Sequence, residues 1–210
     1  MRRRSAILAT ISPLASFAQN QPLPTANPLD AVPLYIIPTD DVAEQPIGAL
    51  ARQLTKDTGL HVKSTVWSPS DVKEPLPGTN QFPAEDYFAV GARVGRTLRD
   101  ASPRTYYIVL TNRDINSKTQ NFRFQYSMHS PMANTSVLSF ARLSYNADGS
   151  TASGEVVSSR VAKMLIRIVG EMRMGWKRTT DPLDLMYAPI MSIEDIDRMD
   201  LGKTIESRLW

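Results

Sequence analysis

Tyr106–Leu110, which reads YYIVL, sets the tightest limit on what this chain can become. An apolar run of that length with no polar alternation is a strand buried inside a sheet. Amphipathic segments flank it in sequence. Ile47–Thr58 places apolar residues at 47, 50, 51 and 54 and stops at Gly59, the pattern of a helix closed by glycine. Pro83–Asp100 has apolar positions at 84, 87, 88, 91, 94, 95 and 98, which predicts a second helix. Glu155–Trp176 aligns Val157, Val161, Met164, Leu165, Ile168, Met172 and Trp176 on one stripe of a long third helix. Leu34–Ile37, closed by Pro38, and alternating His61–Trp67 predict strands before YYIVL. Phe122–Met128 and Val137–Tyr145 alternate too, and predict two antiparallel strands after it. Ser68–Asn80 is a loop and Asn146–Gly149 a turn. Asp181–Pro189 is a turn region. Ser192–Trp210 is helical, with Ser192 as cap and Asp195 placed for a capping box. This order predicts an α/β sandwich with helices over a mixed sheet.

The first segment reads as an address. Met1–Ala18 has three arginines, an apolar run too short for a permanent membrane helix, and small residues before Gln19. That is a signal-peptide pattern, and it implies a periplasmic or secreted protein. Gln19–Val32 reads as a linker, and 33–210 as one domain. Loss of Arg2, Arg3 and Arg4 takes the 24 Lys and Arg down to 21, level with the 21 Asp and Glu. The exported chain is then formally neutral, with no basic stripe interleaved with aromatics, so nucleic acid is not an expected partner. No later apolar run is long enough for a membrane span. Zero Cys excludes disulfides, thiolate zinc sites and a Cys nucleophile. Two His exclude a three-His metal site by counting alone.

Several stretches resemble, in order, the archaemetzincins (archaelysins), a branch of the metzincin zinc peptidases. LYIIPTDDV is similar to the family's opening strand, QFPAEDYFAVGARVGRTLRDAS to its second helix, and YYIVLTNRDI to its central strand. NFRFQYSM and SVLSFARLSY resemble the next two strands. RVAKMLIRIVGEMRMGW lies where the active-site helix belongs, and TTDPLDLMYAPIMSIEDIDRM is similar to the Met-turn and following helix. The likeness runs from about Leu34 to Met199. It implies a metzincin-like three-layer sandwich: a mixed twisted sheet, a long central helix, a Met-turn and a C-terminal helix.

The family's chemistry rests on H-E-x-x-H-x-x-G-x-x-H-C, in which two His four residues apart project from one helix face onto one zinc. Arg160, Lys163 and Gly170 register this helix against that pattern. Arg167 then stands at the first His, Ile168 at the catalytic Glu, Glu171 at the second His and Lys177 at the third. Arg178 falls at the following Cys, and Gly175 can supply the bend one residue late. Met186 stays at the Met-turn position. Guanidinium has donors only and cannot ligate a metal, and Ile168 cannot accept a proton. The resemblance therefore implies a metallopeptidase homologue with no metal, cofactor or catalytic residues: a pseudopeptidase that binds a peptide or protein. The alternative is an active metallopeptidase with an atypical site drawn from Glu171, His129, Asp181 or Asp184.

Arg167 and Glu171 are at i and i+4. They are expected either to form an ion pair in the volume of the lost metal, contributing about 0.2–0.5 kcal/mol if exposed, or to form an exposed charged face. Arg167, Glu171, Trp176, Lys177 and Tyr187 are the expected cleft residues, with Tyr187 either lining it or closing the core. Val137, Ser139, Ala141, Leu143 and Tyr145 are the expected edge strand for an added peptide. Met164, Met172, Met174 and Met186 read as core rather than a copper site. His61 and His129 read as ordinary residues on strands.

Overall fold

The strand of YYIVL is buried at all six of its positions, because both faces of the sheet around it are covered. The structure, a computed structural model, describes residues 31–42, 46–120 and 122–209. The expected signal peptide, and all of the linker before residue 31, lie outside the described residues. β4 (Tyr106–Thr111) pairs in parallel with β1 (Leu34–Pro38) on one side and β7 (Thr135–Ser139) on the other. Beyond β1 runs parallel β2 (Val62–Ser64), and beyond β7 runs antiparallel β6 (Ser127–Ser130). The sheet order is β2-β1-β4-β7-β6.

Successive side chains of a strand point to opposite faces. Leu34, Ile36, Tyr106, Ile108, Leu110 and Leu138 enter one core, with α1 (Ile47–Thr58), α3 (Gly154–Arg173) and α4 (Ile193–Arg198). Tyr35, Ile37, Tyr107, Val109 and Val137 enter the other, with Val90 and Val94 of α2 (Phe88–Gly95). The sandwich is therefore three layers deep, as expected. Each fully buried Leu, Ile or Val contributes about 1.5–3 kcal/mol of transfer free energy.

Tertiary hydrogen bonds trim several expected elements. The helix expected over Pro83–Asp100 shortens to a 3-10 turn, Ala84–Tyr87, followed by α2. Phe82–Pro83 (β3) instead pairs with Ile115–Asn116 (β5), a short strand that carried no sequence signal. At the other end, Asp100 is drawn into the sheet margin: it accepts from Tyr35 Oη and pairs with Lys63, and its carbonyl takes Val32 N–H at 2.8 Å. The strand expected over Phe122–Met128 starts only at Ser127. Side-chain amides hold the preceding carbonyls: Asn116 Nδ2 donates to Phe122 O at 2.8 Å and Gln81 Nε2 to Arg123 O at 2.9 Å. The strand expected over His61–Trp67 keeps three residues, and Val66 and Trp67 are exposed.

Val137–Tyr145 is not an edge strand. β7 ends at Ser139, and Val137 and Ser139 lie inside the sheet between β4 and β6. Ala141 and Leu143 fall in a turn, where Ser144 N–H closes on Phe140 O at 3.1 Å and Leu143 drops fully into the core, and Tyr145 forms an isolated bridge with Thr151. The free edge on this side belongs to β6.

The C-terminal stretch forms two helices, α4 and α5 (Leu201–Leu209), rather than one. Asp195 accepts the N–H groups of Met191 and Ser192, which satisfies donors at the start of α4 as the sequence predicts. No helix among the described residues is long and apolar enough to cross a membrane.

A cleft between α3 and β6 as candidate functional site

α3 opens at Ser153, whose side chain accepts from Val156 N–H. The helix ends at Arg173, three residues before the expected Trp176. Gly175 turns the chain with φ 69°, a left-handed conformation suited to glycine. Trp176 then folds back, its N–H donating to Gly170 O at 2.8 Å. A Cβ at Gly170 would run into the Trp176 indole, so Gly170 makes the seat of that ring.

The face of α3 that looks toward β6 carries Met164, Arg167, Glu171 and Met172. With Ser127–His129 of β6, Arg178 and Ala188–Ile190 they line a cleft of about 500 Å³. Arg167 is only 6% exposed. Its Nη1 donates to the carbonyl of Leu185, the residue before Met186. Burial lowers its pKa to about 10, with Glu171 opposing that shift, so it stays protonated at neutral pH. Glu171 Oε1 pairs with Arg178 Nη2 at 3.0 Å. Glu171 Oε2 is buried with no hydrogen-bond partner among the described residues.

The expected Arg167–Glu171 ion pair is therefore not formed. Arg178, on the segment returning from Gly175, reaches the carboxylate, while Leu185 O holds the Arg167 guanidinium. Neither was legible beforehand, because both contacts depend on where the chain goes after the helix. The exposed-face alternative fails as well, since Arg167 is buried.

His129 on β6 faces the same cleft. Its Nδ1 shares a hydrogen bond of 2.8 Å with Ser136 Oγ, which lies 2.8 Å from Tyr106 Oη. Burial lowers its pKa to about 4; Arg178 and Arg167 push the same way and Glu171 opposes. The ring is neutral at pH 7. His129 is thus a cleft residue, which spacing alone did not indicate, whereas His61 is exposed on β2's approach.

The other expected residues fall elsewhere. Ile168 is fully buried in the core, and Lys177 is exposed. Trp176 covers Gly170, and its ring lies beneath the Arg208 guanidinium at 5.3 Å. Tyr187 packs on the core rather than lining the cleft. Met186 and Met164 are buried, and Met172 and Met174 pack against the larger core. Asp181 pairs with Lys203 at 3.2 Å and Asp184 with Arg208 at 2.7 Å, and neither lines the cleft. Among the described residues no group of three His, Asp or Glu side chains is placed to hold a metal. A zinc site needs at least three protein donors. This cleft offers one carboxylate and one imidazole beside two guanidinium groups, so its side chains do not fit that ion.

β6 offers a backbone edge. Tyr126 O accepts Ser139 N–H at 2.9 Å, and the register pairs Met128 with Val137 and Ser130 with Thr135. An antiparallel ladder alternates bonded and non-bonded pairs. Ser127 and His129 therefore turn their N–H and C=O groups away from β7, toward the open side.

No protein-family model and no curated protein matches the sequence. Solved structures do. A zinc-dependent peptidase from Methanocorpusculum labreanum superposes with TM-score 0.68 at 16% identity, covering 84% of this chain and 100% of that one. An archaemetzincin from Archaeoglobus fulgidus gives TM-score 0.60 at 23% identity, covering 83% and 98%. An archaemetzincin from Methanopyrus kandleri gives 0.55 at 18%, covering 86% and 96%. By fold this chain is archaemetzincin-like, a three-layer sandwich whose cleft lies between α3 and β6.

Proposed function

We propose that this chain is an exported, zinc-free relative of the metallopeptidases that binds a peptide or protein segment in the α3–β6 cleft without cleaving it. One observation carries the reading: the buried cation of Arg167 stands where the resemblance expects the first zinc ligand. A fixed guanidinium repels a divalent ion and offers it no lone pair. Ile168, at the position expected of the general base, is sealed in the core and has no atom that accepts a proton. What survives is a groove with an open strand edge. Backbone hydrogen bonds from Ser127 and His129 can take up an extended segment as an added strand, and that binding mode needs no metal.

The second reading, an active peptidase with an atypical metal, draws on Glu171 and His129 lining the same cleft. Elemental analysis of the purified protein, paired with a peptide-cleavage assay, separates the two. Sub-stoichiometric metal and no chelator-sensitive cleavage are expected. Stoichiometric zinc, removed by chelator together with cleavage, would defeat the proposal. Export is tested by N-terminal sequencing of the protein from cell-envelope extract, where a start at Gln19 is expected.

A further inference from the structure

We propose that the α3–β6 cleft is a carboxylate-binding site, with Arg167 as its anchoring cation and the C-terminal carboxylate or an acidic side chain of a peptide as its ligand; this rests on the peptide-binding reading above. The first support is the charge balance of the cleft walls. Arg167, Arg178 and Glu171 line the cavity. Glu171 and Arg178 neutralise each other, and Asp184, the next acid near Arg167, is held by Arg208. One positive charge is left over, and it is the buried one.

The second support is the hydrogen bonding of Arg167. A guanidinium carries five N–H donors. Among the described residues Arg167 places one bond, from Nη1 to Leu185 O. Its other nitrogens have no acceptor among the described residues, yet they are not sealed off, since the residue lines the cavity. Arg160, two turns earlier on α3, is buried to the same degree and satisfied by a carboxylate and two carbonyls. A guanidinium so desolvated, with donors facing an open cavity of about 500 Å³, is complementary to a planar carboxylate that accepts two parallel bonds.

The third support is the open edge of β6 on the same cleft, where Ser127 and His129 turn their backbone groups outward. A peptide presents both together, a backbone for that edge and a carboxylate for the guanidinium. An inorganic phosphate has no backbone to add and presents more negative charge than the single surplus cation matches.

The test uses the immobilised full chain and N-acetylated random octapeptide pools built from neutral residues. Four pools combine a free or amidated C-terminus with the presence or absence of one internal Asp. Retention is read by mass spectrometry. Pools bearing a carboxylate are expected to be retained about tenfold more than the neutral amidated pool, and the two acidic arms show which source is preferred. Arg167→Gln should erase the difference and Arg167→Lys restore part of it. The wild-type comparison needs no variant, so it holds even where a substitution prevents folding. Equal retention of all four pools overturns the carboxylate site and leaves peptide binding standing. Should no pool be retained, sodium acetate decides. A rise in wild-type melting temperature larger than with equal ionic strength of chloride supports the carboxylate site while the peptide reading fails. No rise, or an equal rise with inorganic phosphate, overturns the site.

Discussion

Arg160 and Arg167 are two buried arginines on one helix, and they do opposite things. Arg160 is 2% exposed and fully partnered: it forks onto both oxygens of Asp197 at 2.7 Å and donates to the carbonyls of Leu143 and Tyr145 at 2.9 Å. Its pKa is raised, chiefly by the hydrogen bonds to Asp197. Three separated segments are stitched together by one guanidinium. Arg167 is 6% exposed with one carbonyl partner, and burial lowers its pKa. The difference separates a buried charge that the protein satisfies from one that it leaves open. Burial is common to both; what separates them is whether the protein itself satisfies the buried group.

Four measurements can break or sharpen this contrast. The largest effect is expected for Arg160→Met. It leaves two carbonyls and Asp197 without their donor, and should cost about 3 kcal/mol in denaturant unfolding. A loss no greater than that of Arg167→Met would erase the distinction.

Acid comes next. The folded pKa of His129, about 4, lies below its ordinary 6.5. The unfolded chain therefore binds the proton more readily, and stability is full above pH 6.5 and falls as pH drops toward 4. The loss should reach about 2 kcal/mol, because burial penalises the charged imidazolium and Arg178 and Arg167 add to that cost. Unfolding curves at pH 7 and pH 4.5 check this, with His129→Gln expected to flatten the dependence. An unchanged slope in that variant would mean the cleft is not the acid-sensitive region.

Gly170→Ala displaces the Trp176 indole and should cost about 1–2 kcal/mol, read as a melting shift with altered tryptophan fluorescence. Retained peptide binding in this variant would separate the Trp176 seat from the cleft. The smallest effect belongs to Arg167→Met. Replacing a poorly satisfied buried cation by an apolar chain of similar length should change stability by less than about 1 kcal/mol, with a gain in stability allowed. A loss of several kcal/mol would make Arg167 a structural group like Arg160.

Much of this was legible before any coordinates. α1 runs over its expected residues, and β1 and β4 match to within one. Their signals are local: helical spacing with a glycine stop, and an apolar run closed by proline. Most of α3 was legible too, because Val157, Val161, Met164, Leu165 and Ile168 lie on one helical stripe. On that helix Lys163 donates to the carbonyls of Ile196 and Asp197 at 3.0 and 2.9 Å. The edge strand was misplaced for a physical reason. Val137–Tyr145 alternates in sequence, yet β7 is buried at every position, so alternation did not report place in the sheet. β6, reading SMHS, has too weak an apolar pattern to announce itself. The Arg167–Glu171 pair was misread because helical spacing shows which groups are neighbours, not which outside partner competes.

The sequence by itself determined the layers of this protein and the donor types set along its central helix. Side-chain period and donor type are properties of residues, and they survive in any arrangement. Only the tertiary structure decided that Arg178 takes Glu171, that Leu185 O holds Arg167, that His129 enters the same cleft, and that β6 is its open edge. Those outcomes depend on the return of the chain after Gly175 and on the strand order. Each brings together residues far apart in sequence, so no local pattern encodes them.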